Sequence, residues 1–328
     1  MKNKIYVSIF LSLIVLSVSF ALSLFLGAQK LCVSEMLTEG SVANNIFLNL
    51  RLPRSLLCLI AGAMLGGSGA VFQMFFRNSL AEPGILGLCA GATFGAVSFV
   101  CLVPAVGVAG LTLLNLGAFT GAILGGTIIV SLAFFSRHSL NSVLLLCGVS
   151  LGTLYSALTS IILSIDTERI SSMYMWMLGS FSGRGWNEVL LIFPVAVVAC
   201  ILFIIAMGHL DLLCGGEEAA FALGLRLPVL RIQVLLSGAL ATTAAVCAGG
   251  TIGFVGLIAP HMVRKIYGTQ AKVLVPLSMV MGAVVLLLSD TLCRCVLPPR
   301  EIPVGTVTAI LGVPFFLSLL LSKKRGTE

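Results

Sequence analysis

Gly215–Arg231, GGEEAAFALGLRLPVLR, is the one long interior segment that is built to be helical and yet to lie outside an apolar phase. Glu217 and Glu218 suit the first turn of a short helix, where carboxylates meet the positive end of the backbone dipole. Gly224 suits its end, because the left-handed conformation there costs glycine little. Pro228 then permits a second helical start. Ala219, Ala220, Phe221 and Leu223 form a small apolar patch between these signals, so the stretch reads as a helix–turn–helix lying on a surface. An ordinary polar loop between apolar segments is the other reading of the same residues.

Almost everything around this stretch is apolar. Of 328 residues, 59% are hydrophobic and 9% charged, and the mean hydropathy is +1.14. That is too apolar for a soluble fold of this size and implies an all-α polytopic membrane protein, read as a single transmembrane domain over 1–328. The 35 glycines have a physical use in lipid, where helices associate by close backbone packing. Small-residue pairs at helical spacing recur at Gly62/Gly66, Gly91/Gly95, Gly117/Gly121/Gly125 and Gly148/Gly152. Most of the ten cysteines lie singly in apolar runs and read as small core residues. Cys293 and Cys295 lack the four-ligand set of a structural zinc.

Nine apolar runs are long enough to span: Ile5–Leu26, Leu56–Phe76, Ile85–Val103, Val108–Phe135, Val143–Ile165, Val189–Met207, Leu235–Ala248, Val273–Ser289 and Val304–Leu321. Thr251–Met262 is short for a tenth and contains Pro260. Charge completes the count. Both ends are basic, with Lys2 and Lys4 at one and Lys323, Lys324 and Arg325 at the other, so both are expected in the cytoplasm and the number of crossings is even. Ten spans then place 12 of the 19 Lys and Arg residues inside, Gly215–Arg231 among them. The net charge of +7 is topological and gives no reason to infer nucleic-acid binding. Among the outer loops, Ser164–Glu188 carries Tyr174, Trp176 and Trp186 as headgroup-boundary rings and is expected to hold a short helix over Met173–Phe181. Ala28–Arg54 ends in RLPR, with Pro53 read as the start of span two.

There is no phosphate-binding G-x-x-x-x-G-K-[ST] loop and no H-E-x-x-H in the sequence, and the predicted spans hold almost no ionisable residue. Ion-coupled carriers keep carboxylates at mid-membrane, so uphill transport by this chain would draw energy from a partner. Gly66-Gly67-Ser68-Gly69 with His261 raises an intramembrane serine protease, which needs serine and histidine within hydrogen-bond reach. Against that, Ser68 reads as a packing residue and His261, after Pro260, as a cap for broken-helix carbonyls. An ion-coupled secondary carrier and a channel are the remaining alternatives.

From Arg51 nearly to its end the chain resembles permeases of the FecCD family, the membrane subunits of ABC importers for iron-siderophores, haem and cobalamin. The matching stretches are RLPR at Arg51–Arg54, a segment ending at Gln73, RNSLAEPGILG at Arg77–Gly87 and WMLGSFSGRGW at Trp176–Trp186. They continue with GEEAAFALGL, GFVGLIAPHMVR at Gly253–Arg264 and EIPVGTVTAILGVPFF at Glu301–Phe316. Ser79 departs from the proline usual in the family after the Arg-Asn pair.

The resemblance implies ten transmembrane helices with short coupling helices, paired with a second permease copy or paralogue. It also implies two ATP-binding subunits below, which bind ATP and Mg where this chain binds no cofactor, and an extracytoplasmic substrate-binding protein above. By it, Glu217, Glu218, Ala219, Phe221, Leu223, Gly224 and Arg226 correspond to the ATPase-coupling stretch. Arg51, Arg54 and Arg294 match positions that present arginines to glutamates of the binding protein. Asn141 and Ser142 fall at an inner gate, with Tyr155, Thr159 and Ser160 along the pathway. The implied function is import of a metal chelate across the inner membrane, iron-siderophore first and haem or cobalamin behind, by a subunit that is not itself a catalyst.

Overall fold

The computed structural model describes residues 2–27, 29, 33–36, 38–84, 87–102, 110–135, 140–166 and 170–323, and among them there is no β-strand. Ten long helices carry the architecture: α1 (Lys2–Phe25), α2 (Leu52–Phe75), α3 (Leu88–Leu102), α4 (Gly110–Phe135), α5 (Leu140–Ile165), α6 (Trp186–Cys214), α7 (Leu227–Gly249), α8 (Val255–Tyr267), α9 (Ala271–Val296) and α10 (Val304–Lys323). The apolar runs become helices because hydrocarbon offers no partner for backbone amides, which must therefore bond within their own segment. Among the described residues, five helical segments, Val42–Phe75, Leu146–Ile165, Trp186–Cys214, Leu227–Gly249 and Ala271–Val296, are long and apolar enough to cross a membrane. Shorter apolar stretches lie in α1, α3, α4 and α10.

The helix at the short tenth candidate, α8, differs from the Thr251–Met262 segment read for it. Thr251–Gly253 is not helical, and α8 instead runs past Met262 to Tyr267. Its 13 residues cover about 20 Å at 1.5 Å per residue, short of a full bilayer. The break before it places Phe254 at φ 67°, a left-handed conformation disfavoured for any residue with a Cβ.

α2 forms the centre, buried without interruption from Met64 to Phe75. Pro53 falls in the first turn of α2, as read, but the chain is already helical before it. Ser41 caps a helix at Val42–Ile46, its hydroxyl accepting the Asn44 N–H at 3.0 Å. A π-helical turn at Phe47–Arg51 follows and leads directly into α2. Proline lacks an N–H and its ring crowds the carbonyl four residues back, and the widened turn accommodates both.

The glycine pairs mark the closest crossings. A Cβ at Gly66 would lie 2.1 Å from the Ser278 carbonyl oxygen, and one at Gly62 2.4 Å from that of Gly282, so α2 and α9 touch backbone to backbone. α3 and α4 meet in the same way through Gly95 and Gly117. The short helix in the loop before α6 spans Ile170–Met177, three residues earlier than expected. It ends because Gly179 turns at φ 79° and Ser180 donates its N–H to the Gly249 carbonyl at 2.7 Å. Trp176 is buried there, so Tyr174 and Trp186 alone of the three rings are exposed.

Candidate functional site

Two contacts orient the bundle. At the end of α2, Arg77 Nη2 donates to the Leu213 carbonyl at 2.9 Å, and the Ala271 N–H at the start of α9 donates to Asp211 at 2.6 Å. The end of α2, the end of α6 and the start of α9 thus lie together, beside Gly215–Arg231. Arg51, Arg54 and Arg294, at the start of α2 and the end of α9, lie at the opposite end.

At the first end, Glu217–Ala222 is helical, and Gly224 at φ 83° terminates it. The turn is closed by Gly224 N–H to the Phe221 carbonyl and Leu225 N–H to the Ala220 carbonyl, both 2.9 Å. Ala220 and Leu225 are buried against the bundle, whereas Phe221 is 76% and Leu223 68% exposed. Glu218, Ala219 and Arg226 are exposed as well; the Glu217 side chain lies outside the described residues. Pro228 opens α7 in its first turn. The stretch therefore projects an apolar pair ringed by charge from a helix whose other face is anchored.

At the other end the three arginines are turned inward. Arg54 donates from Nη2 to Asp290 Oδ1 at 2.8 Å and from Nη1 to Glu301 at 2.9 Å. Arg294, one helical turn beyond Asp290, pairs with its Oδ2 at 3.1 Å and donates to the Ser23 carbonyl. Arg51 donates to the carbonyls of Leu24 at 2.8 Å, Phe25 at 2.9 Å, and Gln29. Those first two belong to the last turn of α1, whose carbonyls have no intrahelical donor, so Arg51 caps that helix. The sequence reading presented these arginines to a partner outside; the fold buries them to 6%, 9% and 5% exposure for Arg51, Arg54 and Arg294. They still line one pocket of about 390 Å³, together with Glu301 and Arg184.

Sequence reasoning missed Asp290, Glu301, Glu188 and Arg184. The Asp290–Arg294 spacing of four residues was the available signal, since such pairs share a helix face. One further carboxylate lies between the helices α2 and α3. Glu82 lines a cavity with Leu65, Gly253 and Gly256, and Leu65 lies ten residues, about 15 Å, from the end of α2.

On α5 the expected pathway residues separate. Tyr155 is buried and stacks on Phe94 with ring centroids 5.4 Å apart; Thr159, 2% exposed, donates to the Tyr155 carbonyl at 2.7 Å. Ser160 is on the exposed side, its hydroxyl bonded to the Ser156 carbonyl. Asn141 and Ser142 fall in the first turn of α5, and their side chains lie outside the described residues. Ser68, fully buried, donates to the Leu65 carbonyl of its own helix at 3.0 Å. His261 packs edge-on against Phe315 at 5.8 Å. Each member of the pair a protease would need is thus engaged elsewhere.

A profile of the FecCD transport family matches residues 15–322. The Fe(3+) dicitrate transport system permease protein FecD of Escherichia coli is 34% identical over 97% of this chain and 99% of its own length. The hemin transport system permease protein HmuU of Yersinia pestis is 36% identical over 85% of this chain and 84% of its own length. A solved metal-chelate type ABC transporter in an inward-facing conformation superposes with a TM-score of 0.84 at 31% identity, covering 95% of this chain and 98% of that one. The chain belongs to the FecCD transport family.

Proposed function

We propose that this FecCD-family chain is the permease subunit of an ATP-driven importer of metal chelates, with iron-siderophore complexes as the substrate class and haem or cobalamin as the alternatives. In this reading 1–328 forms a single transmembrane domain in the inner membrane. Both termini and Gly215–Arg231 face the cytoplasm, and a second permease copy or paralogue completes the pathway. ATP and Mg are bound by two separate ATPase subunits; this chain binds no cofactor and no nucleic acid. The observation that carries the reading is the helix at Glu217–Ala222, anchored through Ala220 while Phe221 and Leu223 are left bare. Apolar side chains exposed on a fixed helix, with Glu218 and Arg226 beside them, suit insertion into a groove of a partner protein.

ATP binding in the partners would draw two such stretches together and shift the pathway between outward- and inward-open states. A partner shifts that equilibrium only through contacts that differ between the two states. Those contacts are assigned to Glu217, Glu218, Ala219, Phe221, Leu223, Gly224 and Arg226 at one end. The pocket of Arg51, Arg54 and Arg294 receives an extracytoplasmic binding protein at the other. Asn141 and Ser142, at the start of α5, are assigned to the inner gate. The test is reconstitution with the ATPase and binding protein in liposomes, scoring ATP-dependent uptake of a ferric siderophore. Replacing Glu217–Leu223 by a Gly/Ser linker should abolish uptake while the complex still hydrolyses ATP; uptake at the normal rate would refute the assignment.

A further inference from the structure

The outward faces of α6 and α7 run down to one cationic pocket. The two helices pack against each other. On α6 the exposed Ile201 and Ile205 are four residues apart, and the same step leads to His209. On α7 the exposed Val229, Ile232 and Leu236 share a face, because residues three and seven apart lie on one side of a helix. Bare apolar strips on neighbouring helices of a membrane bundle suit contact with hydrocarbon. At their foot a pocket of about 290 Å³ opens between the end of α6, the turn at Leu223–Arg226 and the start of α7, with His209, Arg226 and Val229 in its lining. Among the described residues that line it there is no carboxylate. Asp211, two residues beyond His209, is committed to the Ala271 N–H at 2.6 Å. His209 Nδ1 is buried and has no hydrogen-bond partner among the described residues. Arg226 is exposed and is the N-cap of α7, where its side chain caps no amide. An unneutralised guanidinium, an imidazole and the positive end of a helix thus meet at the foot of an apolar strip. A negatively charged head on a hydrocarbon tail is complementary to both parts.

We propose that this pocket binds the headgroup phosphate of an anionic phospholipid, with Arg226 and His209 donating to its oxygens and the acyl chains lying along Ile201, Ile205, Ile232 and Leu236. Arginine suits the phosphate because its planar fork reaches two oxygens at once. A zwitterionic lipid carries the same phosphate but brings a second cation beside Arg226. The proposal rests on the permease reading above, which sets this end of the bundle in the cytoplasmic headgroup layer. It deepens that reading, since Leu223 and Gly224 line the same pocket. A lipid seated there braces the turn that holds Phe221 towards the ATPase.

The test titrates the purified, delipidated permease in a neutral detergent with short-chain phosphatidylglycerol, phosphatidylcholine or inorganic phosphate, and reads the thermal unfolding temperature. Phosphatidylglycerol should raise that temperature saturably, and the other two should not. Arg226→Gln and His209→Leu should each raise the half-saturating phosphatidylglycerol concentration about fivefold, and their unfolding without lipid reports whether each variant is folded. Lys272→Gln, at an exposed cation near the same end but outside the pocket, should leave it unchanged. Equal weakening by Lys272→Gln would mean diffuse surface attraction and overturns the proposal. So do an equal response to phosphatidylcholine, an unchanged half-saturation in both pocket variants, or a shift with inorganic phosphate alone, which would mark a free-anion site. No ATPase takes part in this measurement, so its failure counts against the lipid site, whereas absence of ATP-dependent uptake by the unsubstituted complex counts against the permease reading.

Discussion

Arg54 and Asp290, 236 positions apart in sequence, form a two-point ion pair with Arg54 Nη2 2.8 Å and Nε 3.1 Å from Asp290 Oδ1. Asp290 is 1% exposed and also holds Arg294, so one carboxylate fastens the start of α2 to the end of α9. Removing one member of a buried pair leaves an uncompensated charge, at a cost of about 3–5 kcal/mol. Asp290→Ala should lower the thermal unfolding temperature of the purified permease and its yield. Arg54→Met and Arg294→Met combined with Asp290→Leu remove both cations that Asp290 holds and should recover much of the loss, since Glu301 is partly exposed to solvent. Equal damage from the triple substitution would mean that the carboxylate does more than neutralise these arginines.

The α2–α9 crossing gives a steric prediction. Gly66→Ala sets a methyl 2.1 Å from the Ser278 carbonyl oxygen, with backbone rather than a movable side chain in the way. The helices must separate, which should cost about 1–3 kcal/mol. Gly208, on α6, has nothing within 4 Å of a Cβ, and Gly208→Ala should be neutral or stabilising by up to about 1 kcal/mol. Thermal unfolding of the two variants in one detergent would compare them directly.

Phe254 and Gly312 give a coupled pair. The Phe254 ring occupies the space a Cβ on Gly312 would take, at 2.4 Å. Gly312→Ala should destabilise by about 1–3 kcal/mol through that clash. Phe254→Gly removes the ring and releases the backbone penalty at φ 67°, so the double variant should lose less than the sum of the singles, by about 1 kcal/mol or more. Strict additivity in unfolding experiments would contradict the contact.

Phe221→Ser and Leu223→Ser should leave folding untouched, because both side chains are exposed, while weakening association with the ATPase about tenfold as lost interface anchors. Ala220→Asp, on the buried face of the same helix, should instead disturb the fold. Co-purification titrations paired with unfolding curves distinguish the two faces.

Much of this was legible in the chain. Apolar runs, paired glycines and the carboxylates of Glu217 and Glu218 act locally, over one or two helical turns, and their consequences appear where expected. Pro53 starts α2 as read; the π-helical turn that runs into it left no signal in the apolar run. The rotation of α5, which buries Tyr155 and exposes Ser160, has no local cause. In so apolar a helix every face is acceptable to lipid, and packing against Phe94 selects one.

The sequence by itself determined that this protein is a helical membrane bundle with a surface helix between α6 and α7, because hydropathy and backbone preference are properties of short segments. Only the tertiary structure decided what the arginines do. Whether a guanidinium reaches outward or closes on a carboxylate depends on which helix ends arrive beside it. Asp290, Glu301 and the last carbonyls of α1 reach Arg54, Arg294 and Arg51 only once α1, α2 and α9 have packed.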